Sequence, residues 1–203
     1  MASSLKKLSH RFFRRPAIEL APDLLGKILV RRTDGQQHRV RITEAEAYVG
    51  PHDLACHASK GRTRRTEVMF GPGGHAYVYF IYGMYEMFNI VASVEDDAQA
   101  VLIRAADPLD GWKADLSGPG KLTRALQITR ADNGKDLTGD ELFLLRDPDY
   151  QPHVVTTKRV GIDYAKEWKD EMLRFLDAKS PGSAKELRKA GVFNPGDPAN
   201  RRT

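Results

Sequence analysis

The stretch that decides the fold class is "HAYVYFIYGMYEMFNIVASVEDDAQAVLIRA", residues 75–105. It predicts three strands, at 75–82, 88–94 and 99–105, broken only by turn residues such as Gly83. Two further strands are predicted at 38–49 and 141–146. Strands that follow one another without regular helices between them favour an α+β fold with a largely antiparallel sheet.

Few helices are predicted. "APDLLGKILVRR", residues 21–32, predicts a short helix with Pro22 near its start and Gly26 near its end, running into a strand. "GKLTRALQIT", residues 120–129, has the spacing of an amphipathic helix. One domain is expected over residues 1–176, followed by a loosely ordered tail, 177–203, with a helical turn near 184–189.

Composition narrows the class of protein without identifying it. The 203 residues carry a formal net charge of +5, and arginines cluster in segments such as "KGRTRR", residues 60–65. This charge suits a polyanionic partner and a solvated basic face equally well. The single cysteine, Cys56, excludes an internal disulfide framework and favours a reducing compartment. No apolar run is long enough to span a bilayer, so no membrane partner is expected.

Two carboxylates in "VRITEAEAYV", residues 40–49, are candidates for chemistry. Strand alternation puts Glu44 and Glu46 on one face together with Val40, Ile42 and Tyr48. A carboxylate in such surroundings needs a partner, a pocket or a solvent-facing edge. Pairing with an arginine near the end of the strand and a role in a functional pocket are both open.

The role of the tyrosines after Gly74 is likewise open between structure and ligand binding. Tyr77, Tyr79 and Ile81 are predicted on one face of a strand, with Ala76, Val78 and Phe80 on the other. The ring-bearing face is either a half-buried sheet surface or a platform on which a planar ligand stacks.

Two other motifs contain residues that could bind a ligand. "HDLACH", residues 52–57, holds four possible metal ligands, but no spaced third ligand and base follow it, so no metal or cofactor is predicted. "SGPGKLT", residues 117–123, lacks the spacing of a phosphate-binding P-loop. A loop leading into a helix can still bind phosphate through backbone N–H groups, with Lys121 adding charge.

Five segments in a fixed order closely resemble the alkyladenine (3-methyladenine) DNA glycosylase family of purine repair enzymes. They are "TEAEAYVGPHDLACHASKGRT" (43–63), "VMFGPGGHAYVYFIYGMYEMFNI" (68–90), "VLIRAADP" (101–108), "SGPGKL" (117–122) and "RVGI" (159–162). The resemblance covers about His10 to Leu176. It implies a single domain, residues 1–176, around a curved antiparallel sheet surrounded by helices, and it assigns most of the basic N-terminus to that domain rather than to a targeting peptide.

The resemblance also assigns residues to a site. Glu46 matches the family's catalytic glutamate. Tyr48, His57, Tyr79 and Asn89 match its base pocket, as do three residues whose backbone approaches the base and the catalytic water: Val160, Gly161 and Ile162.

Further matches concern contacts with DNA. Tyr82 corresponds to the residue that inserts into the duplex, and Arg104 to one near the flipped nucleotide's phosphate. "RTRRT", residues 62–66, departs from a "TPRN"-like turn of the family but keeps the loop basic through Arg64 and Arg65. With Lys121, these arginines are predicted to contact the DNA backbone.

The implied activity is that of a monofunctional DNA glycosylase. It would flip alkylated or deaminated purines out of duplex DNA, hydrolyse the N-glycosidic bond with a glutamate-activated water and leave an abasic site. A monomer acting on double-stranded DNA is expected, in the cytoplasm of a bacterium or the nucleus of a eukaryote. Two alternatives stay open: a catalytically silent nucleic-acid-binding module, and a metal-dependent hydrolase using His52, Cys56 and His57.

Overall fold

Strands form most of the regular structure in the computed structural model, which describes residues 4–33 and 35–192. In these ranges the strands are β1 (Lys6–Lys7), β2 (Ile28–Thr33), β3 (Gln36–Tyr48), β4 (Ala76–Ile81), β5 (Tyr85–Ala92), β6 (Gln99–Pro108), β7 (Leu142–Arg146), β8 (Val154–Thr157) and β9 (Arg174–Asp177). The α-helices are α1 (His10–Phe13), α2 (Ala17–Leu24), α3 (Pro119–Ala125) and α4 (Ser183–Lys189). Short 3-10 helices occur at His57–Lys60, Glu67–Phe70, Arg130–Asp132 and Lys166–Asp170.

The strands form one open sheet in the order β1-β7-β2-β3-β6-β5-β4. Strand β9 also pairs with β3, and β8 pairs with β9. Every strand pairing in the described ranges is antiparallel. The α+β fold with an antiparallel sheet is therefore confirmed, and so are the six strands predicted from the sequence, including β2 after the first predicted helix.

Strand β3 changes its neighbours along its length. Residues 36–41 pair with β2, whereas residues 44–46 pair with β9. Strand β6 lies on the other side of β3 throughout residues 40–48. The register with β6 shifts between Ile42 and Ala45, which marks a β-bulge around Thr43 and Glu44.

The bulge corrects one prediction about β3. Strict alternation would place Val40 and Ile42 on the same face as Glu44 and Glu46. In the structure Val40 and Ile42 instead pack in one core cluster with Ala45 and Ala47. The extra residue of the bulge reverses the alternation, so only the part of the strand after it presents Glu44, Glu46 and Tyr48 away from that core.

Strands β4 and β5 separate two hydrophobic clusters. Ala76 and Val78 pack in the main core with helix α2, whereas Tyr77 packs in a second cluster with Cys56 and Met69. Tyr48 and Tyr79 pack against this second cluster. The predicted alternation of this strand is confirmed, and the second face is the one that carries the site described below.

The first predicted helix begins earlier than its sequence suggests. Helix α2 starts at Ala17, directly after Pro16, and Pro22 lies inside its last turn rather than near its start. The proline at the start of the helix is thus Pro16. A proline is tolerated at this place because the first N–H groups of a helix have no acceptor within the helix. Gly26 follows the helix with a φ of 76°, as the predicted helix end requires.

The packed structure continues past residue 176. Asp177, the last residue of β9, is fully buried, and Leu187 of α4 is buried as well. Helix α4 agrees with the helical turn predicted near 184–189. Residue 176, after which the domain was expected to end, therefore lies inside strand β9, and the division into a domain and a tail stays a prediction. Residues 193–203 of the expected tail lie outside the described residues.

No helix in the described ranges has the length and apolar character needed to cross a membrane.

Candidate active site

A cavity of about 270 Å³ opens on the face of the sheet that carries Tyr77 and Tyr79. Nine of the predicted site residues line it: Tyr48, His57, Tyr79, Tyr82, Asn89, Arg104, Val160, Gly161 and Ile162. They come from strands β3, β4, β5 and β6, from the 3-10 helix that begins at His57, from the β4–β5 turn and from the loop after β8. The fold thus brings together residues that are more than a hundred positions apart in the sequence.

Glu46 lies directly behind the lining of this cavity. Its Oε1 accepts a hydrogen bond from the backbone N–H of Val160 at 2.9 Å, and its Oε2 accepts one from the Tyr48 hydroxyl at 3.0 Å. The Nε of Arg104 lies 3.4 Å from Oε1. The side chain itself has 0% exposure, so it reaches the cavity only through these three neighbours.

Arg104 connects the carboxylates to the cavity. Its Nε donates to Glu44 at 2.7 Å, and the described residues accept no hydrogen bond from its two terminal nitrogens. Burial alone would lower the pKa of Arg104, but the negative charges of Glu46 and Glu44 raise it overall. The side chain is therefore a fixed cation with one edge held by carboxylates and donors left for a ligand.

Glu44 is the carboxylate that pairs with arginines, as one of the two sequence interpretations expected. Its Oε1 accepts from the Nε of Arg104 and from the Nε of Arg174, each at 2.7 Å. Arg174 also donates to Glu186 of helix α4 at 3.0 Å. Alternating charges thus run from the C-terminal helix to Glu46, and this network was not foreseen because β9 and α4 are remote in sequence.

Aromatic rings form the walls of the cavity. The ring centroids of His57 and Tyr79 are 4.5 Å apart with an interplanar angle of 66°, and those of Tyr77 and Tyr79 are 5.3 Å apart. The Nδ1 of His57 and the hydroxyl of Tyr77 are hydrogen-bonded at 2.8 Å. Burial, with a smaller contribution from the nearby Arg65, lowers the pKa of His57 to about 4. His57 is therefore neutral at physiological pH.

Asn89 lies between these walls on strand β5. Its side-chain nitrogen donates to the carbonyl oxygens of Tyr77 at 3.1 Å and Met87 at 3.4 Å. Both contacts fix the amide so that its oxygen stays available as an acceptor in the lining of the cavity.

A buried ion pair that the sequence did not reveal holds two sides of the site together. Arg159 donates to Asp53 at 2.5 and 2.9 Å and to the carbonyl of Ala47 at 2.9 Å. Both side chains of the pair have 0% exposure. The Arg159 guanidinium also lies over the Tyr48 ring, 4.8 Å from its centroid. The pair therefore supports Tyr48 and, through the next residue, the Val160 amide that contacts Glu46.

The "HDLACH" segment has structural contacts of other kinds. Asp53 forms the ion pair with Arg159, and His57 is hydrogen-bonded to Tyr77. Cys56 is buried, and His52 lies against Trp168 with ring centroids 5.4 Å apart. Among residues 4–33 and 35–192, no three His, Cys, Asp or Glu side chains lie close enough together to hold a metal ion. These contacts give no support to the metal-dependent alternative.

Tyr82 sits at the tip of the β4–β5 hairpin. Its φ is 54° and that of Gly83 is 68°, and its side chain is 76% exposed. A left-handed backbone is unfavourable for a tyrosine by about 1 kcal/mol, so the turn holds the ring outward at some cost. Two other exposed apolar side chains stand near the mouth, Met84 in the same turn and Tyr164 in the cavity lining.

Three of the four predicted basic contacts, all except Arg104, lie outside the cavity lining. Arg65 is exposed and lies over the Tyr79 ring, 5.1 Å from its centroid. Arg64 is exposed in the same loop. Lys121 is exposed on α3, where its Nζ donates to Asp115 at 2.8 Å and to Ser117 at 3.1 Å.

Comparisons with known proteins agree with this geometry. A family model described as methylpurine-DNA glycosylase matches residues 11–181. A protein of Anaeromyxobacter sp. (strain Fw109-5), named "Putative 3-methyladenine DNA glycosylase", is 45% identical over 189 residues, covering 90% of this chain and 97% of its own. A protein with the same name from Legionella pneumophila (strain Corby) is 45% identical and covers 87% of this chain and 97% of its own. Another from Methanocella arvoryzae is 44% identical and covers 86% of this chain and 94% of its own.

Proposed function

The chain belongs to the methylpurine-DNA glycosylase family, and we propose that it flips a damaged purine out of duplex DNA and removes it with a water molecule activated by Glu46. Family membership identifies the protein as an enzyme that hydrolyses N-glycosyl bonds of alkylated purines in DNA. The steps below concern how it does so.

The observation that carries the proposal is the fixed orientation of Glu46 at the back of an aromatic cavity. Val160 N–H and the Tyr48 hydroxyl hold one oxygen each, at 2.9 and 3.0 Å. A carboxylate held in this way can take a proton from water and stabilise positive charge developing on the sugar. Because Glu46 has 0% exposure, water reaches it only after a small displacement of the exposed Val160–Gly161 segment, which we assign to DNA binding.

The cavity supports a flipped nucleotide. A base inside the duplex cannot come near a fully buried glutamate, so the nucleotide has to leave the stack. Tyr48 and Tyr79 would flank the base, and the ring of Tyr82 would fill the space left in the duplex. The free terminal nitrogens of Arg104 are suited to the phosphate of the flipped nucleotide.

The product would be an abasic site in an uncut strand. Lysine is absent from the described residues that line the cavity, so these residues offer no amine that could form a Schiff base with the sugar. We therefore propose a monofunctional enzyme. We further propose that it acts as a monomer on double-stranded DNA and accepts deaminated as well as alkylated purines.

The test compares Glu46→Gln with the wild-type protein on duplexes that each carry one defined lesion, in the presence of EDTA. Base release is measured by alkaline cleavage at the abasic site, and affinity by titration of the same duplex. The variant should release base at least about a hundredfold more slowly, as expected for loss of a general base, while it still binds the lesion. Glu141→Gln, on an exposed residue remote from the cavity, is the matched control and should leave the rate unchanged.

Substantial base release by Glu46→Gln would exclude Glu46 as the base. If neither protein released a base from any of the lesion duplexes, a catalytically silent binding module would be favoured. Loss of the wild-type activity in EDTA would favour a metal-dependent reaction.

A further inference from the structure

Each tyrosine wall of the cavity carries a guanidinium on one face. Arg159 lies 4.8 Å from the centroid of the Tyr48 ring, and Arg65 lies 5.1 Å from that of the Tyr79 ring. Both rings line the cavity, whereas neither arginine is among the residues that line it, which fits a position of each cation on the ring face turned away from the cavity. A base bound between the tyrosines would therefore have a positive charge behind each ring.

The two arginines differ in whether a carboxylate neutralises their charge. Arg159 is buried and neutralised by Asp53 at 2.5 Å. Arg65 has no ion pair with any carboxylate in the described part of the chain. The Tyr48 side of the cavity is thus close to neutral, and the Tyr79 side carries one uncompensated positive charge.

We propose that Arg65 sets the charge preference of the base pocket: acting through the Tyr79 ring, it opposes binding of cationic purines and promotes release of neutral ones. This inference rests on the proposed function and concerns which lesions the same site prefers. It makes Arg65 a specificity-determining residue, in addition to any contact that its loop makes with the DNA backbone.

The effect on binding follows from distance. A purine stacked on the free face of Tyr79 would lie roughly 3.5 Å from the ring, and hence roughly 9 Å from the guanidinium. At that distance, with the partial screening expected for an exposed arginine, repulsion would weaken binding of a cationic base on the order of fivefold to twentyfold. The cation already held by the ring also diminishes the cation–π attraction that a second cation would gain.

The effect on bond cleavage has the same direction. When the C1′–N bond breaks, its electron pair stays with the purine, while a water oxygen bonds to C1′ and its proton passes to Glu46. A neutral purine becomes negative as it departs and takes up a proton afterwards, so a nearby positive charge lowers its barrier. A cationic purine departs as a neutral molecule and gains no such stabilisation.

The surroundings of His57 agree with a positive field on this side of the pocket. Burial and the charge of Arg65 together lower the pKa of His57 to about 4. The imidazole is therefore neutral, and Arg65 remains the uncompensated charge beside Tyr79.

The test uses two duplexes of the same sequence, one with the cationic base 7-methylguanine and one with the neutral base hypoxanthine. Equilibrium affinities and single-turnover release rates are measured for the wild-type protein, Arg65→Gln, Arg65→Lys and Arg64→Gln. Arg64 is the matched control because it is exposed in the same loop and has the same charge. Melting temperatures verify that each variant is folded.

Arg65→Gln should shift the preference towards 7-methylguanine by about fivefold or more, through tighter binding of that duplex and slower release of hypoxanthine. Arg65→Lys should retain the wild-type preference. An unchanged preference in Arg65→Gln, or an equal shift in Arg64→Gln, would overturn the inference. If the wild-type protein released neither base, the proposed function would fail, and the affinity ratios would still decide the role of Arg65.

Discussion

The hydroxyl of Tyr48 donates a hydrogen bond to Oε2 of Glu46, two residues earlier on the same strand, at 3.0 Å. Both side chains lie beyond the bulge of β3, where alternate residues face the cavity side. One aromatic wall and the buried carboxylate therefore form a single unit, and a small change in the tyrosine tests it.

We expect Tyr48→Phe to slow base release at least about tenfold while it preserves lesion binding. The ring stays in place, but the carboxylate loses a donor whose contribution is about 1.5–3 kcal/mol for a hydrogen bond to a charged group. Single-turnover rates and affinities on one duplex measure the two effects separately. Tyr150→Phe is the control, since it removes a hydroxyl that donates to Asp177 at 2.6 Å, outside the cavity lining. A wild-type rate in Tyr48→Phe would show that this hydrogen bond does not orient Glu46.

Asp53→Asn should destabilise the protein by about 3–5 kcal/mol, because it leaves the fully buried Arg159 without its counter-charge. The free energy of unfolding, from urea titrations, measures the change. The comparison is Asp110→Asn, whose carboxylate pairs with Arg39 at the surface and is 47% exposed, so that its loss should cost at most about 1 kcal/mol. Equal effects of the two substitutions would contradict a central role for the buried pair.

The substitution Tyr82→Asn distinguishes the effect of the hairpin backbone on stability from the effect of the exposed ring on DNA binding. Asparagine tolerates a positive φ better than tyrosine, so the variant should melt at the wild-type temperature or slightly above it. Affinity for a lesion duplex should fall at least about tenfold if the ring stabilises the flipped state, since stacking contributes about 1–3 kcal/mol per base. Met84→Ala, at an exposed side chain of the same turn, controls for lost surface area. Unchanged affinity in Tyr82→Asn would show that Tyr82 is not inserted.

The lowered pKa of His57 predicts a dependence of stability on pH. The imidazole has a pKa near 6.5 in the unfolded chain and about 4 in the folded protein. Between these values the unfolded chain binds a proton that the folded protein does not, so the contribution of His57 is complete above pH 6.5 and is lost as the pH falls towards 4. The loss should reach up to about 3 kcal/mol.

The measurement is the difference in unfolding free energy between pH 6.5 and pH 4.5 for the wild-type protein and His57→Gln. The variant should lose less stability than the wild-type protein over this interval. His153→Gln, at an exposed histidine, should behave like the wild-type protein. Identical losses in all three proteins would show that His57 is not responsible.

Local pattern was sufficient for much of the fold. The alternation of Tyr77 and Tyr79 with Ala76 and Val78 predicts the correct faces, because a regular hairpin strand keeps its period of two. The bulge near Thr43 was not predicted, since an extra residue in a strand is defined by its partner in β6. Strands β8 and β9 were missed because each has only four residues and pairs with distant segments.

The site divides in the same way. The family resemblance selected Glu46 and nine of the residues that line the cavity, most of which sit in continuous motifs. The partner of Asp53 is Arg159, 106 positions away, so no local spacing could distinguish an ion pair from a metal ligand. The uncompensated charge of Arg65 was likewise hidden, because it depends on which carboxylates the fold brings near.

The two faces of β3 depend on its bulge. If the strand were straightened without a change in length, one of its halves would rotate by half a turn, so that the two glutamates would point into the apolar interior or Val40 and Ile42 would leave it. Loss of the single residue Thr43 would instead keep both faces, because Val40 and Ile42 would then alternate regularly with Ala45 and Ala47. An evolutionary route to a straight strand at this position would therefore have to delete one codon.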